Sequence, residues 1–109
     1  MALDFSQMGG LVKQAHEMQK KIADLQAELA GRTVTATVGG GMVTAVANGA
    51  TEIVSIKFER EIVNPDELEM LADLTLAAVN EAIKKAQDMT AQEMAKITGG
   101  FKLPGLFGG

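Results

Sequence analysis

Hydrophobic residues recur along the first third of the chain at intervals of three and four: Met8, Leu11, Ala15, Met18, Ile22, Leu25 and Leu29. This spacing places them on one side of an α-helix roughly 30 Å long, at about 1.5 Å per residue. Gly9 and Gly10 weaken its start, and Gly31 supplies a natural stop. The seam is compatible with a coiled coil or with the buried face of an amphipathic helix. The second reading is preferred, because coiled coils generally sustain the repeat for longer.

After Gly31 the period changes from 3.5 to two. Val34, Ala36 and Val38 alternate with Thr33, Thr35 and Thr37, and Val43, Ala45 and Ala47 alternate with Met42, Thr44 and Val46. A third run sets Val54, Ile56 and Phe58 against Ile53, Ser55 and Lys57. β-branched residues fill all three runs, which favours strands. The links between them are too short for a parallel crossover, so an antiparallel meander is expected. Asn48-Gly49 signals a two-residue hairpin between the second and third runs. One face of the sheet would carry Val54, Ile56 and Phe58 with small partners suited to close helix packing. The other would be Thr-rich, with Met42, Val46 and Ile53 among its threonines.

Asn64-Pro65-Asp66-Glu67 has the order of a helix start: Asn as N-cap, Pro in the first turn, and acids where the helix dipole favours them. Leu68, Leu71, Ala72, Thr75, Val79, Ala82, Ala86, Met89, Glu93 and Ile97 follow at helical spacing, with Glu93 breaking the stripe. The helix is expected to reach about Thr98, before Gly99-Gly100. That is long for a 109-residue chain, so its end should project or pack against a second subunit. The expectation is a single α+β domain over residues 1–98, ordered as helix, three-stranded antiparallel β-meander and long C-terminal helix. A flexible Gly/Pro/Phe tail would occupy 99–109.

The chain has no cysteine and one histidine, which excludes disulfides and leaves no His/Cys ligand set for a metal. A Ser–His–acid arrangement would have to use His16 with Ser6 or Ser55; no catalytic constellation emerges, and neither a cofactor nor a small-molecule substrate is expected. No window is long and apolar enough to span a membrane, and no export signal is evident, so a soluble cytoplasmic protein is expected. A small core, an overlong helix and a sheet apolar on both sides favour a homodimer.

Gly39-Gly40-Gly41 invites a phosphate-loop reading. Such a loop leads from a strand into a helix N-terminus, whereas here a second strand follows, with neither a GK[ST] nor a GxGxxG pattern. The triplet is therefore read as a hairpin connection needing positive φ. The net charge of −4 argues at first against a polyanionic partner. Yet Asp66, Glu67, Glu69 and Asp73 fall in a stretch without Lys or Arg, and the remaining ten acids balance ten bases. Charges are screened beyond about 8 Å at physiological salt, so a local stripe outweighs the total. Lys13, His16 and Lys20 share one side of the first helix, with Lys21 beside them, and Lys84 and Lys85 are adjacent on the last. These six are candidate contacts to a nucleic-acid backbone, against the ordinary alternative of a solvated face with Glu17, Asp24 and Glu81.

The segments MGGLVKQAHEMQKKIADLQAELA, GGGMVTAVANG, VSIKF, NPDELEMLADLTLAAVNEAIKKAQ and MAKITGGFKLPGLFGG, in this order, resemble the YbaB/EbfC family of small bacterial nucleoid-associated proteins. The resemblance implies a homodimer with projecting, tweezer-like helices. It further implies binding of double-stranded DNA, altered DNA conformation, and a part in nucleoid organisation and gene regulation. It supplies no short binding motif, so the six candidates rest on the stripe alone. The alternative is a non-enzymatic adaptor acting through the heptad face or the apolar tail.

Overall fold

A computed structural model describes residues 5–99. The elements follow the expected order: α1 (Phe5–Ala30), β1 (Thr33–Val38), β2 (Val43–Asn48), β3 (Ile53–Phe58) and α2 (Leu68–Thr98). Two short 3₁₀ turns, Arg60–Ile62 and Pro65–Glu67, join β3 to α2. The sheet is an antiparallel meander in the order β1-β2-β3. Past Gly99 the expected tail lies outside the described residues.

Asn64 accepts a hydrogen bond from the Asp66 N–H at 3.0 Å. It caps the Pro65–Glu67 turn, which runs directly into α2. The glycine triplet turns β1 into β2 with φ of 64°, 68° and 98° at Gly39, Gly40 and Gly41, conformations that glycine adopts without cost.

Two expectations need correction. The β2–β3 connection is not a two-residue Asn-Gly turn. The Asn48 carbonyl accepts from Thr51 N–H (3.0 Å), the Asn48 N–H donates to the Glu52 carbonyl (2.9 Å), and Thr51 takes φ 63°. This is a three-residue loop ending in a left-handed residue. Asn48 braces it: its Oδ1 accepts from the Ala50 and Glu52 N–H groups at 3.0 and 3.1 Å. A β-branched residue is strained at positive φ, so Thr51→Gly is expected to stabilise the chain by about 0.5–1 kcal/mol. A rise in the urea midpoint would show this, and an unchanged or lower midpoint would refute it.

The second correction concerns the faces of β3. Val46 pairs with Ser55 but Ala47 pairs with Ile53, a register shift that leaves Val54 as the extra residue. Ile53 thus crosses from the Thr-rich face to the helix-covered one, where it packs against the core. Val54, expected on the helix-covered face, loses its strand partner.

The core is a small-on-small interface. Ala78, Ala82 and Ala86 of α2 are completely buried against Ala36, Val43, Ala45 and Ala47. Spaced by four, the three alanines form one stripe that lets the helix backbone lie close to the sheet. Leu29 and Val43 are the largest fully buried side chains, so the hydrophobic core of one chain is thin for its length. α2 crosses β1 and β2 and barely reaches β3.

At the far end of the sheet the β2–β3 loop grips both helices. Gly49 N–H donates to the Leu29 carbonyl at 2.9 Å, and Thr90 Oγ1 of α2 donates to the Gly49 carbonyl at 3.1 Å. Beyond this junction α2 continues beside α1. There the two helices form the base of an arm that α1 continues; the molecule is 78 Å in its long dimension.

Candidate nucleic-acid interface

The arm determines which way the candidate cations face. Among the described side chains of α1, those that lose solvent are Met18, Ile22 and Leu25, half-buried, and Leu29, fully buried. They are the C-terminal part of the apolar seam. At about 100° per residue, Lys13, His16 and Lys20 fall within an arc of about 60° whose centre is about 180° from that seam. All three are exposed. Packing of the seam therefore turns the stripe outward, away from the protein. Lys13 and Lys20 stand about 10 Å apart along the helix axis. Lys21 is also exposed, but it lies about 100° round from Lys20, closer to the seam than to the stripe.

Ion pairing separates the candidates further. Among the described residues the ion pairs are Lys85–Glu81 (3.7 Å), Lys96–Glu93 (3.1 Å) and Arg32–Glu93 (3.5 Å). Lys13, Lys20, Lys21 and Lys84 belong to none of them. Glu17 and Asp24 are exposed on the same helix and dilute the positive potential without neutralising any one lysine by direct contact.

Lys84 and Lys85 do not act as a pair. Lys85 Nζ donates to the Thr35 carbonyl of β1 at 3.0 Å, capping the sheet edge while it meets Glu81. Lys84, one position earlier, is about 100° away around the helix and turned from the sheet. It remains available to an outside ligand, whereas Lys85 is already engaged.

Glu93 proves to be structural. The hydrogen bond from Lys96 holds its carboxyl below the usual carboxylate range despite some opposing desolvation, and the charge of Arg32 adds to the effect. Arg32 follows α1 directly, so this pair clasps the two helices of the arm at its base. A depressed carboxyl stabilises above its ordinary titration range and loses that contribution as pH falls through its folded value, so the clasp is intact at neutral pH. The sequence shows only a polar break in an apolar stripe, because the partner is remote in the chain.

Sequence reasoning also missed a bare apolar strip. Ile56 and Phe58 stand opposite Ala45 and Val43, on the helix-covered side of the sheet, yet they are 40% and 44% exposed. Lys85 reaches toward β1 from one flank of the buried alanine stripe. The opposite flank, toward β3, carries Leu76, Val79 and Ile83; of these Leu76 is 61% exposed. Ile56 and Phe58 of β3 and Leu76 of α2 are thus left bare on the β3 side of the molecule. Among the described residues no cluster of His, Cys, Asp and Glu is arranged to hold a metal ion, and no helix is long and apolar enough to cross a membrane.

Comparison with known proteins agrees with this architecture. The chain is 55% identical over 100 residues to a nucleoid-associated protein of Caldanaerobacter subterraneus subsp. tengcongensis, covering 92% of this chain and 90% of the relative. It is 57% identical over 98 residues to one from Thermodesulfovibrio yellowstonii, covering 90% and 86%. A crystal structure of an uncharacterized protein, HP0035, from Helicobacter pylori shares the fold with a TM-score of 0.72 at 26% identity, covering 90% of this chain and all of that one. Residues 4–101 match the model of the YbaB/EbfC DNA-binding family. With nearly the whole chain matched, the protein belongs to the YbaB/EbfC DNA-binding family.

Proposed function

We propose that the chain works as a homodimer that binds duplex DNA along its phosphate backbone, at the nucleoid in the cytoplasm. The observation that carries this reading is the outward stripe of Lys13, His16 and Lys20. It stands on a projecting helix, apart from the described ion pairs, in a chain of a DNA-binding family. Lys21 and Lys84 extend the cationic surface, and Lys85 contributes least because it serves the sheet edge. The names of the relatives support the nucleoid as the place of action.

The bare apolar strip on β3 supports the dimer. A second copy related by a two-fold axis would lay the Leu76 flank of its α2 over Ile56 and Phe58 and receive the same cover in return. Two arms would then project from one body. Duplex DNA held along two cationic arms must follow their geometry, which gives a route to altered DNA conformation, nucleoid organisation and an influence on gene expression. Contacts confined to phosphates position the protein without reading bases, so affinity should vary little with sequence.

A mobility assay titrated with salt tests the proposal. The logarithm of affinity should fall with the logarithm of salt, at a slope of about 0.9 per phosphate neutralised. Replacing Lys13, Lys20 and Lys21 with Ala should reduce both affinity and slope for all duplexes alike. Lys84→Ala should have a smaller effect in the same direction, and Lys85→Ala little. A salt-independent affinity, or a triple variant that binds like the parent, would refute the assignment.

A further inference from the structure

We infer that the outer half of α1 is a self-association surface, through which arms from two dimers pair back to back and hold two DNA duplexes together. The inference rests on the DNA-binding reading above and adds a second interaction to it.

The apolar seam of α1 is covered over only part of its length. Leu29 at the sheet junction is fully buried, Leu25, Ile22 and Met18 are half-buried, and Ala15 is exposed. Leu11, also on the seam, is 63% exposed. The cause is the length of α2. From Thr90, at the junction, to Thr98, its last residue, α2 has about 12 Å of helix left, enough to accompany α1 back to about residue 21. The seam continues beyond that point without α2 beside it.

What the bare seam fits is a copy of itself. Spacings of three and four present alternating knobs and holes that another helix with the same repeat fills, and an antiparallel pair makes such a contact two-fold symmetric. Charge does not oppose the pairing. The residues bordering the exposed stretch are Gln14 and Gln19, both uncharged, while Lys13, His16, Glu17 and Lys20 lie on the far side. Lys21 borders the seam nearer the junction, and an antiparallel pair centred near Ala15 keeps its two Lys21 side chains at opposite ends. The surface is also continuous with the α1–α2 contact, so it prolongs packing that already exists.

The opposed placement of seam and stripe determines the outcome. When two arms meet through their seams, their lysine stripes point in opposite directions, separated by about two helix diameters, roughly 20 Å. Each stripe then faces a different duplex. Only about 10 Å of seam is available from Leu11 to Met18, so the contact is weak in free solution. It becomes effective where DNA concentrates the arms.

The test uses the full chain, one duplex tethered to beads and a second, fluorescent duplex in solution. Wild-type protein should retain the second duplex on the beads. In the double variant Leu11→Gln/Ala15→Gln, both positions on the seam, bridging should fall at least tenfold while affinity for a single duplex stays within about twofold, because only the arm-to-arm contact is multivalent. Sedimentation without DNA should show dimers that associate further at high concentration, and the double variant should not associate further. Undiminished bridging by the variant would overturn the inference and assign bridging to the two arms of one dimer. A variant found as a monomer would also overturn it, placing the seam within the dimer. If wild type binds single duplexes but never bridges, the inference alone fails. If it binds no duplex, the DNA-binding reading fails with it.

Discussion

Phe58→Glu should convert the proposed dimer to a monomer at micromolar concentration without unfolding the chain. In a single protomer Phe58 is 44% exposed at the end of β3, and α2 lies mainly over β1 and β2, so a glutamate there stays solvated and the fold should survive. In the dimer the same position would be covered twice, once in each protomer. With 44% of its surface still exposed in the protomer, each phenylalanine would contribute about 0.7–1.3 kcal/mol of further apolar burial in the dimer, and a buried carboxylate without a partner adds a penalty of several kcal/mol. A micromolar dimer is held by only about 8 kcal/mol. Even half of the combined loss from two sites would shift the dissociation constant by several orders of magnitude. Sedimentation gives the mass, and circular dichroism shows whether helix and sheet persist. DNA affinity should fall as well, because one arm then replaces two. A Phe58→Glu protein that remains a dimer would exclude the bare strip of β3 as the interface. Ser55→Glu, on the opposite face of the same strand, should leave the dimer intact.

The order of elements was readable because each depends on local periodicity. A change from a 3.5 repeat to alternation marks where α1 ends and β1 begins, and Asn64-Pro65 marks the approach to α2. The glycine triplet was readable for a similar reason, since a strand on either side leaves it only a turn to make. The bulge at Val54 is different. The residues of β3 alternate well enough to be an unbroken strand, and the shift that brings Ile53 under α2 depends on packing against Ala47 and the helix. Asn48-Gly49 misled for a related reason. The glycine is required by the passage of α1, not by the dihedral angles of a tight hairpin. At the candidate interface, the stripe of Lys13, His16 and Lys20 follows from helical spacing alone. The engagement of Lys85 with β1 and of Arg32 with Glu93 joins residues far apart in the chain, and no local pattern encodes either.

Gly49→Val should be the most destabilising change in the sheet-to-arm junction, at about 3 kcal/mol or more, for a reason visible only in three dimensions. A Cβ at this position would lie 2.7 Å from both the carbonyl carbon and the Cβ of Leu29, closer than packed carbon atoms can approach. Neither side has room to yield. Leu29 is 1% exposed, its carbonyl accepts the Gly49 N–H, and the Gly49 carbonyl is held by Thr90 from α2. Relief of the clash must move the end of α1 off the sheet, which exposes Leu29 and loosens the base of the arm. Loss of a buried leucine contact alone costs about 2–5 kcal/mol. Gly31→Ala provides the contrast. Its Cβ would meet only the Glu28 carbonyl oxygen at an ordinary 3.6 Å, so that variant should melt close to wild type. The chain has neither tryptophan nor tyrosine, so urea unfolding should be followed by circular dichroism. Limited trypsin cleavage after Arg32 would report separately on loosening at the end of α1. If Gly49→Val unfolds at the wild-type midpoint and resists trypsin equally, α1 is not anchored through this loop. If it loosens as expected, it should also weaken DNA binding with every candidate lysine still present, since a stripe acts as one surface only while the arm that carries it is held in place.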